Sequence, residues 1–142
     1  MAEQTISLQY PIDGNNFTIA GQASSNIKKV LKQLGIAPEI IRKAAISMYE
    51  GEINTIIHGK GGEADVTITS DTITIVFRDK GPGIPDIAKA MQAGFSTATD
   101  EARELGFGAG MGLPNMKKYS DELSIESEVG HGTTVTLVIR LR

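Results

Sequence analysis

Cysteine is absent from the chain, which excludes a disulfide framework and a thiolate metal site. No apolar run approaches the roughly eighteen residues that a membrane-spanning helix needs. The N-terminal stretch lacks a basic start followed by an apolar core, so no secretory leader is expected and the cytoplasm is the default compartment. Positive charge is also short: 14 Lys and Arg stand against 17 Asp and Glu, a net charge of −3, with no dense basic cluster along the chain. A nucleic-acid face is therefore not expected, and an anionic ligand would have to be held by local geometry rather than overall charge.

What remains is ordinary for a soluble protein. The 142 residues are 40% hydrophobic and 22% charged, enough to bury one core, and a single domain over residues 1–142 is expected. The 16 glycines are the more informative number, because they fall in motifs.

Residues 4–10 alternate apolar and polar, as a half-buried strand does, and Asp13-Gly14 with Phe17–Ile19 suggests a hairpin. Ser24 or Ser25 is the expected cap of a helix with Ile27, Val30, Leu31 and Leu34 on one face, ended by Gly35. Pro38 opens a second helix running toward Gly59. Strands follow over Asp65–Thr69 and Thr72–Phe77, then a short helix over Asp86–Met91. No period holds from Gly94 to Gly110, which reads as a functional loop or lid. A helix with Pro114 in its first turn runs to Tyr119, and strands near Leu123–Ser127 and Thr133–Ile139 close the chain. This interleaving predicts an α/β two-layer sandwich, a mixed and largely antiparallel sheet with helices on one face.

Four segments carry candidate chemistry. Glu50, Asn54 and His58, spaced by four, rise along one side of the second helix, with Glu52 turned the other way. A carboxylate there can take a proton from a hydroxyl and a carboxamide oxygen suits Mg²⁺, although a plain solvated helix face has the same look. Asp79-Lys-Gly81-Pro-Gly83 follows a strand; its carboxylate can accept from an exocyclic amine, or the segment is an ordinary turn. In Gly106-Phe-Gly108-Ala-Gly110-Met111-Gly112-Leu113-Pro114, glycines alternate directly before a helix start, which favours backbone N–H groups gathered on a phosphate. No Gly-Lys-Ser/Thr follows it, so it is not a Walker loop. Gly130-His-Gly132-Thr133-Thr134 suits a hairpin turn with Gly132 at the tight position, or its two hydroxyls could reach a ligand beside Asp79.

Taken in order, the four segments resemble the conserved boxes of the GHKL ATPase superfamily, over about Met48 to Thr134. Within it the chain is similar to the small bacterial anti-sigma factors and switch proteins that act as serine/threonine kinases. The likeness is carried by Tyr49–Gly59, Gly110–Glu122 and Ser127–Thr134. It implies the Bergerat, or histidine-kinase-like, ATPase fold, with ATP and Mg²⁺ between helices and sheet under a lid at about residues 93–110. Carried across, Glu50 is the general base and Asn54 the Mg²⁺ ligand. Asp79 pairs with the adenine amine, with Gly81 and Gly83 in the nucleotide-binding set and Gly83 bordering the ring. Gly106, Gly108, Gly110, Met111, Gly112 and Leu113 line the phosphates, Thr134 supports the adenine contact, and Arg103 in the lid faces the γ-phosphate. His58 is in register with a family histidine, and a packed or capping role fits it equally.

The function implied is a protein kinase acting on a Ser or Thr of a STAS-like antagonist or scaffold protein. Its alternative is a non-catalytic ATP-gated module that sequesters a sigma factor or activates a phosphatase. A homodimer is compatible with either, and neither needs nucleic acid or a membrane. A histidine-kinase fragment is disfavoured because His58 and His131, the two histidines, both lie inside the boxes. Relatives with large transducer domains are disfavoured by length.

Overall fold

The computed structural model describes residues 5–13, 21–57, 61–83 and 112–141. Five strands, β1 (Ile6–Asp13), β2 (Gly61–Ile68), β3 (Thr72–Asp79), β4 (Glu122–Glu128) and β5 (Gly132–Arg140), form one sheet in the order β1-β2-β3-β5-β4. Every pairing among them is antiparallel, so the mixed sheet expected from the sequence is in fact uniform over the described strands. Among the described residues three helices accompany it: α1 (Gln22–Gln33), α2 (Pro38–Ile57) and α3 (Gly112–Tyr119).

The register explains where the core sits. Leu8, Val66, Ile75, Leu137 and Leu123 lie side by side across all five strands. So do Tyr10, Ala64, Phe77, Val135 and Ile125 in the next row. Alternation puts these side chains on one face, against which α2 packs; the central ones are buried and the edge ones partly so. Each fully buried aliphatic side chain of this kind contributes about 1.5–3 kcal/mol.

Helix α2 is buried on much of its circumference, with Ile41, Ala44, Met48, Ile53 and Ile56 all inside. The cause is its central place: α1 and α3 both pack on it, and the sheet lies beneath. Gly51 is what lets it lie so close. A Cβ there would come within 2.2 Å of the Phe77 ring, so the helix would have to lift.

Helix α1 begins earlier than expected and is not capped by Ser24 or Ser25. Gly21 occupies the cap position in the left-handed region without a side-chain cap bond. The Ser24 hydroxyl instead donates to the Ala45 carbonyl at 2.7 Å. The missing acceptor comes from α2: the buried Glu52 carboxylate takes the backbone N–H of Gly21 at 3.0 Å, with Ala23 and Ser24 also bonded to it. At its other end α1 stops as expected, with Gly35 at φ 73°. Asp13, expected in a turn, is instead the last residue of β1, opposite Gly61, and the expected second hairpin strand Phe17–Ile19 and helix Asp86–Met91 lie outside the described residues.

Charge is segregated by the fold. Lys28, Lys29, Lys32, Arg42, Lys43, Lys117 and Lys118 are exposed on the helices, while Glu63, Asp65, Glu122 and Glu126 share the outer sheet face with Arg78 and Arg140. The layer that carries the candidate site is thus the more basic one. Among the described residues, no helix is long and apolar enough to cross a membrane.

Candidate functional site

The apolar rows of the sheet give way to a polar one at the end where β3 finishes. That row reads Ile12, Gly62, Asp79, Thr133 and Ser127. It lies on the face that α2 covers, because Asp79 follows Phe77 by two residues, about 7 Å along the same side of the strand. Glu50 adjoins Gly51, which rests on Phe77, so α2 and the polar row are held in fixed relation.

Asp79 is anchored through one carboxylate oxygen. Its Oδ1 accepts the backbone N–H of Gly81 at 2.9 Å and that of Thr133 at 3.2 Å. The hydroxyls of Thr133 and Ser127 lie 2.9 Å apart, and Ser127 Oγ also donates to the Gly132 carbonyl at 3.2 Å. Two turns interlock here: Gly130 N–H donates to the Pro82 carbonyl at 2.8 Å. Gly83 and Gly132 both hold positive φ, and a Cβ on either would lie within 2.5 Å of a backbone oxygen, of Glu128 and Asp79 respectively. Glycine at 83 and 132 is therefore required by backbone meeting backbone.

Glu50 and Asn54 stand one turn apart on the same side of α2, both half-buried, as their spacing predicts. Glu50 Oε1 accepts a 3.2 Å bond from Asn115 Nδ2 on α3. Burial raises the Glu50 carboxyl above its ordinary value, and the Asn115 amide partly opposes this by favouring the charged form. Among the described residues, none is hydrogen-bonded to the Asn54 carboxamide.

Not every predicted residue falls in this group. Thr134 pairs with Arg78 and Glu126 on the outer face of the sheet, so its side chain points away from Asp79. Thr133, the other of the two hydroxyls in that segment, holds the inner position opposite Asp79. Leu113 is buried, so its side chain belongs to the core, and Gly112 begins α3. Gly81 is placed by its bond to Asp79. His58, the lid with Arg103, and Gly106, Gly108, Gly110 and Met111 lie outside the described residues. Asn115 and Glu52 were missed; only the register of α3 and the approach of α1 reveal them.

The chain is similar in sequence and fold to known proteins. The pattern of the family described as histidine kinase-, DNA gyrase B- and HSP90-like ATPase matches residues 35–142. The serine/threonine-protein kinase RsbT of Bacillus subtilis (strain 168) is 32% identical over 119 residues, covering 81% of this chain and 84% of that one. An anti-sigma F factor of Thermoanaerobacter sp. (strain X514) is 36% identical over 131 residues, covering 86% and 88%. Among solved structures, one holding the RsbU and RsbW domains of a Mycobacterium tuberculosis protein superposes with a TM-score of 0.65 at 18% identity, over 95% of this chain and 32% of that one. The mycobacterial sensor histidine kinase MprB gives 0.55 at 16% identity, over 94% and 97%. The two structures share the fold; the sequence matches reach further, and on them the chain belongs to the histidine kinase-, DNA gyrase B- and HSP90-like (GHKL) ATPase family, among relatives named as anti-sigma factors and a serine/threonine kinase.

Proposed function

We propose that this chain is an ATP-dependent serine/threonine protein kinase and regulatory binding protein of the anti-sigma and switch-kinase type, acting on a STAS-like antagonist or scaffold protein. The observation that carries the reading is Glu50: a half-buried carboxylate on the helix that packs over the polar row, one turn from a carboxamide that no described residue occupies.

The donor set fits magnesium and adenine nucleotide. Asn54 offers a neutral hard oxygen of the kind Mg²⁺ takes. With Asp79 Oδ1 held by two N–H groups, its other oxygen is oriented to accept from an exocyclic amine, and Thr133 takes the supporting place expected for Thr134. Gly81 and Gly83 belong to this nucleotide end. Gly106, Gly108, Gly110, Met111 and Gly112 are proposed to turn backbone N–H groups toward the phosphates. When bound, Mg·ATP supplies the γ-phosphoryl group. Glu50 accepts the proton of the acceptor hydroxyl as the new oxygen–phosphorus bond forms and the bond to ADP breaks. Burial favours this, because a carboxylate whose proton affinity is raised is the better base.

The test is Glu50→Gln. It should bind ATP with wild-type affinity and transfer no phosphate to a STAS-domain partner; retained transfer would remove Glu50 from the role. A second reading, nucleotide-gated binding without turnover, is favoured by the relatives named anti-sigma F factor. It requires partner affinity to differ between ADP and ATP, and to persist in Glu50→Gln.

A further inference from the structure

The contact between Glu50 and Asn115 joins two parts of the site that the sequence keeps far apart. Asn115 sits in the first turn of α3, three residues after Gly112, where the glycine-rich segment enters the helix. Its neighbours Leu113 and Met116 are both buried in the core, which fixes the depth and rotation of that turn. The carboxamide is thereby delivered to Glu50 from a rigid support, at 3.2 Å from Oε1.

A glutamate side chain has three rotatable bonds, and a half-buried one has several orientations open to it. Glu52, two residues on, is locked by backbone N–H groups; Glu50 has Asn115. An amide donor suits the task, since it bonds the charged carboxylate but neither takes nor gives a proton at ordinary pH. One oxygen is then held and the other is left to receive a proton from a defined direction.

We infer that Asn115 is a positioning residue for phosphoryl transfer: its carboxamide, delivered from the first turn of α3, holds the Glu50 carboxylate in one orientation. The inference rests on the reading of Glu50 as general base. A donor placed this way acts on the chemical step and leaves nucleotide affinity alone, since Asn115 bonds the base and not the ligand.

The experiment is steady-state Mg·ATP hydrolysis by the full chain, water standing in for the protein hydroxyl, in the wild type, Asn115→Leu, Glu50→Gln and the double variant. Asn115→Leu should lower kcat by about tenfold with KM for ATP unchanged within about twofold, and Glu50→Gln should lower kcat by about a hundredfold. Once Glu50 is neutral, adding Asn115→Leu should change nothing further. Asn115→Gln, which keeps the amide, should recover most of the rate. Asn115→Ser carries the same expectation as Asn115→Leu should the latter unfold. Wild-type kcat in Asn115→Leu, a change confined to KM, or a further fall in the double variant would overturn the inference while leaving Glu50 as base. Wild-type turnover in Glu50→Gln would instead remove the reading beneath it.

Discussion

Replacing Gly51 by alanine tests how α2 is seated on the sheet. On an isolated helix the change stabilises by about 1 kcal/mol, because glycine is the poorer helix former. Here the added methyl would meet Cε2 and Cζ of Phe77 at 2.2 Å and Cδ2 at 2.8 Å. The ring is itself buried, between Ala64 and Val135 in the central strands, so it has little room to turn away. Overpacking of this sort costs about 1–3 kcal/mol. Subtracting the propensity gain leaves a net loss of up to about 2 kcal/mol. Urea unfolding with a two-state fit would measure it, and Phe77→Leu added to Gly51→Ala should cost less than the two single losses summed. Because α2 must lift to accept the methyl, Glu50 and Asn54 move away from Asp79, and Mg·ATP affinity should fall with stability. A more stable Gly51→Ala protein would refute the packing argument.

Three further outcomes follow from the same contacts. Glu52→Ala strips the acceptor from the first turn of α1 and should cost about 2–3 kcal/mol, while Glu52→Gln, which keeps an acceptor, should cost less than about 1 kcal/mol by thermal unfolding. Burial raises the Glu50 carboxyl, so the folded state binds its proton more tightly than the unfolded chain does. Its burden on stability is therefore absent below the ordinary carboxylate value and grows as pH rises through the folded one. Glu50→Gln should accordingly be the more stable protein at neutral pH, by a margin that solvent screening at this half-exposed position keeps small, and the advantage should vanish as pH falls through that window. Thr133→Val should weaken Mg·ATP binding severalfold in calorimetry and Thr134→Val should not, since only Thr133 shares a face with Asp79.

Much of this was legible in the residues, for a physical reason in each case. Period-two alternation placed β2, β3 and β5, and the 3.6 period with Pro38 and Gly35 placed α2 and the end of α1. Helical spacing alone puts Glu50 and Asn54 on one side of α2, but it suits a solvated face equally, and their roles come from the resemblance. The same alternation marks Thr133: Val135, Leu137 and Ile139 are apolar at every second position, so Thr133 faces inward with them and Thr134 outward with Thr136. Local propensity misled at α1, where two serines look like caps but the acceptor arrives from Glu52 on another helix. No local pattern contains that information, because the cap exists only once α1 and α2 have packed. Asn115 is the same kind of case, reading as an ordinary helix residue until α3 docks beside Glu50. Gly83 suited a ligand-facing role in sequence, whereas its tightest neighbour is the Glu128 carbonyl in the turn before β5; Gly132 holds the tight turn position expected of it, against the Asp79 carbonyl.

The polar end of the sheet is proposed to grip an adenine nucleotide through Asp79. Isothermal calorimetry of the full chain with Mg·ATP tests this most directly, run beside Asp79→Asn, which can keep the bonds from Gly81 and Thr133 but presents an amide where an acceptor is needed. Saturable binding that weakens by at least about tenfold in Asp79→Asn is the predicted result. Equal affinity in the two proteins, or no heat with either at millimolar nucleotide, would contradict it.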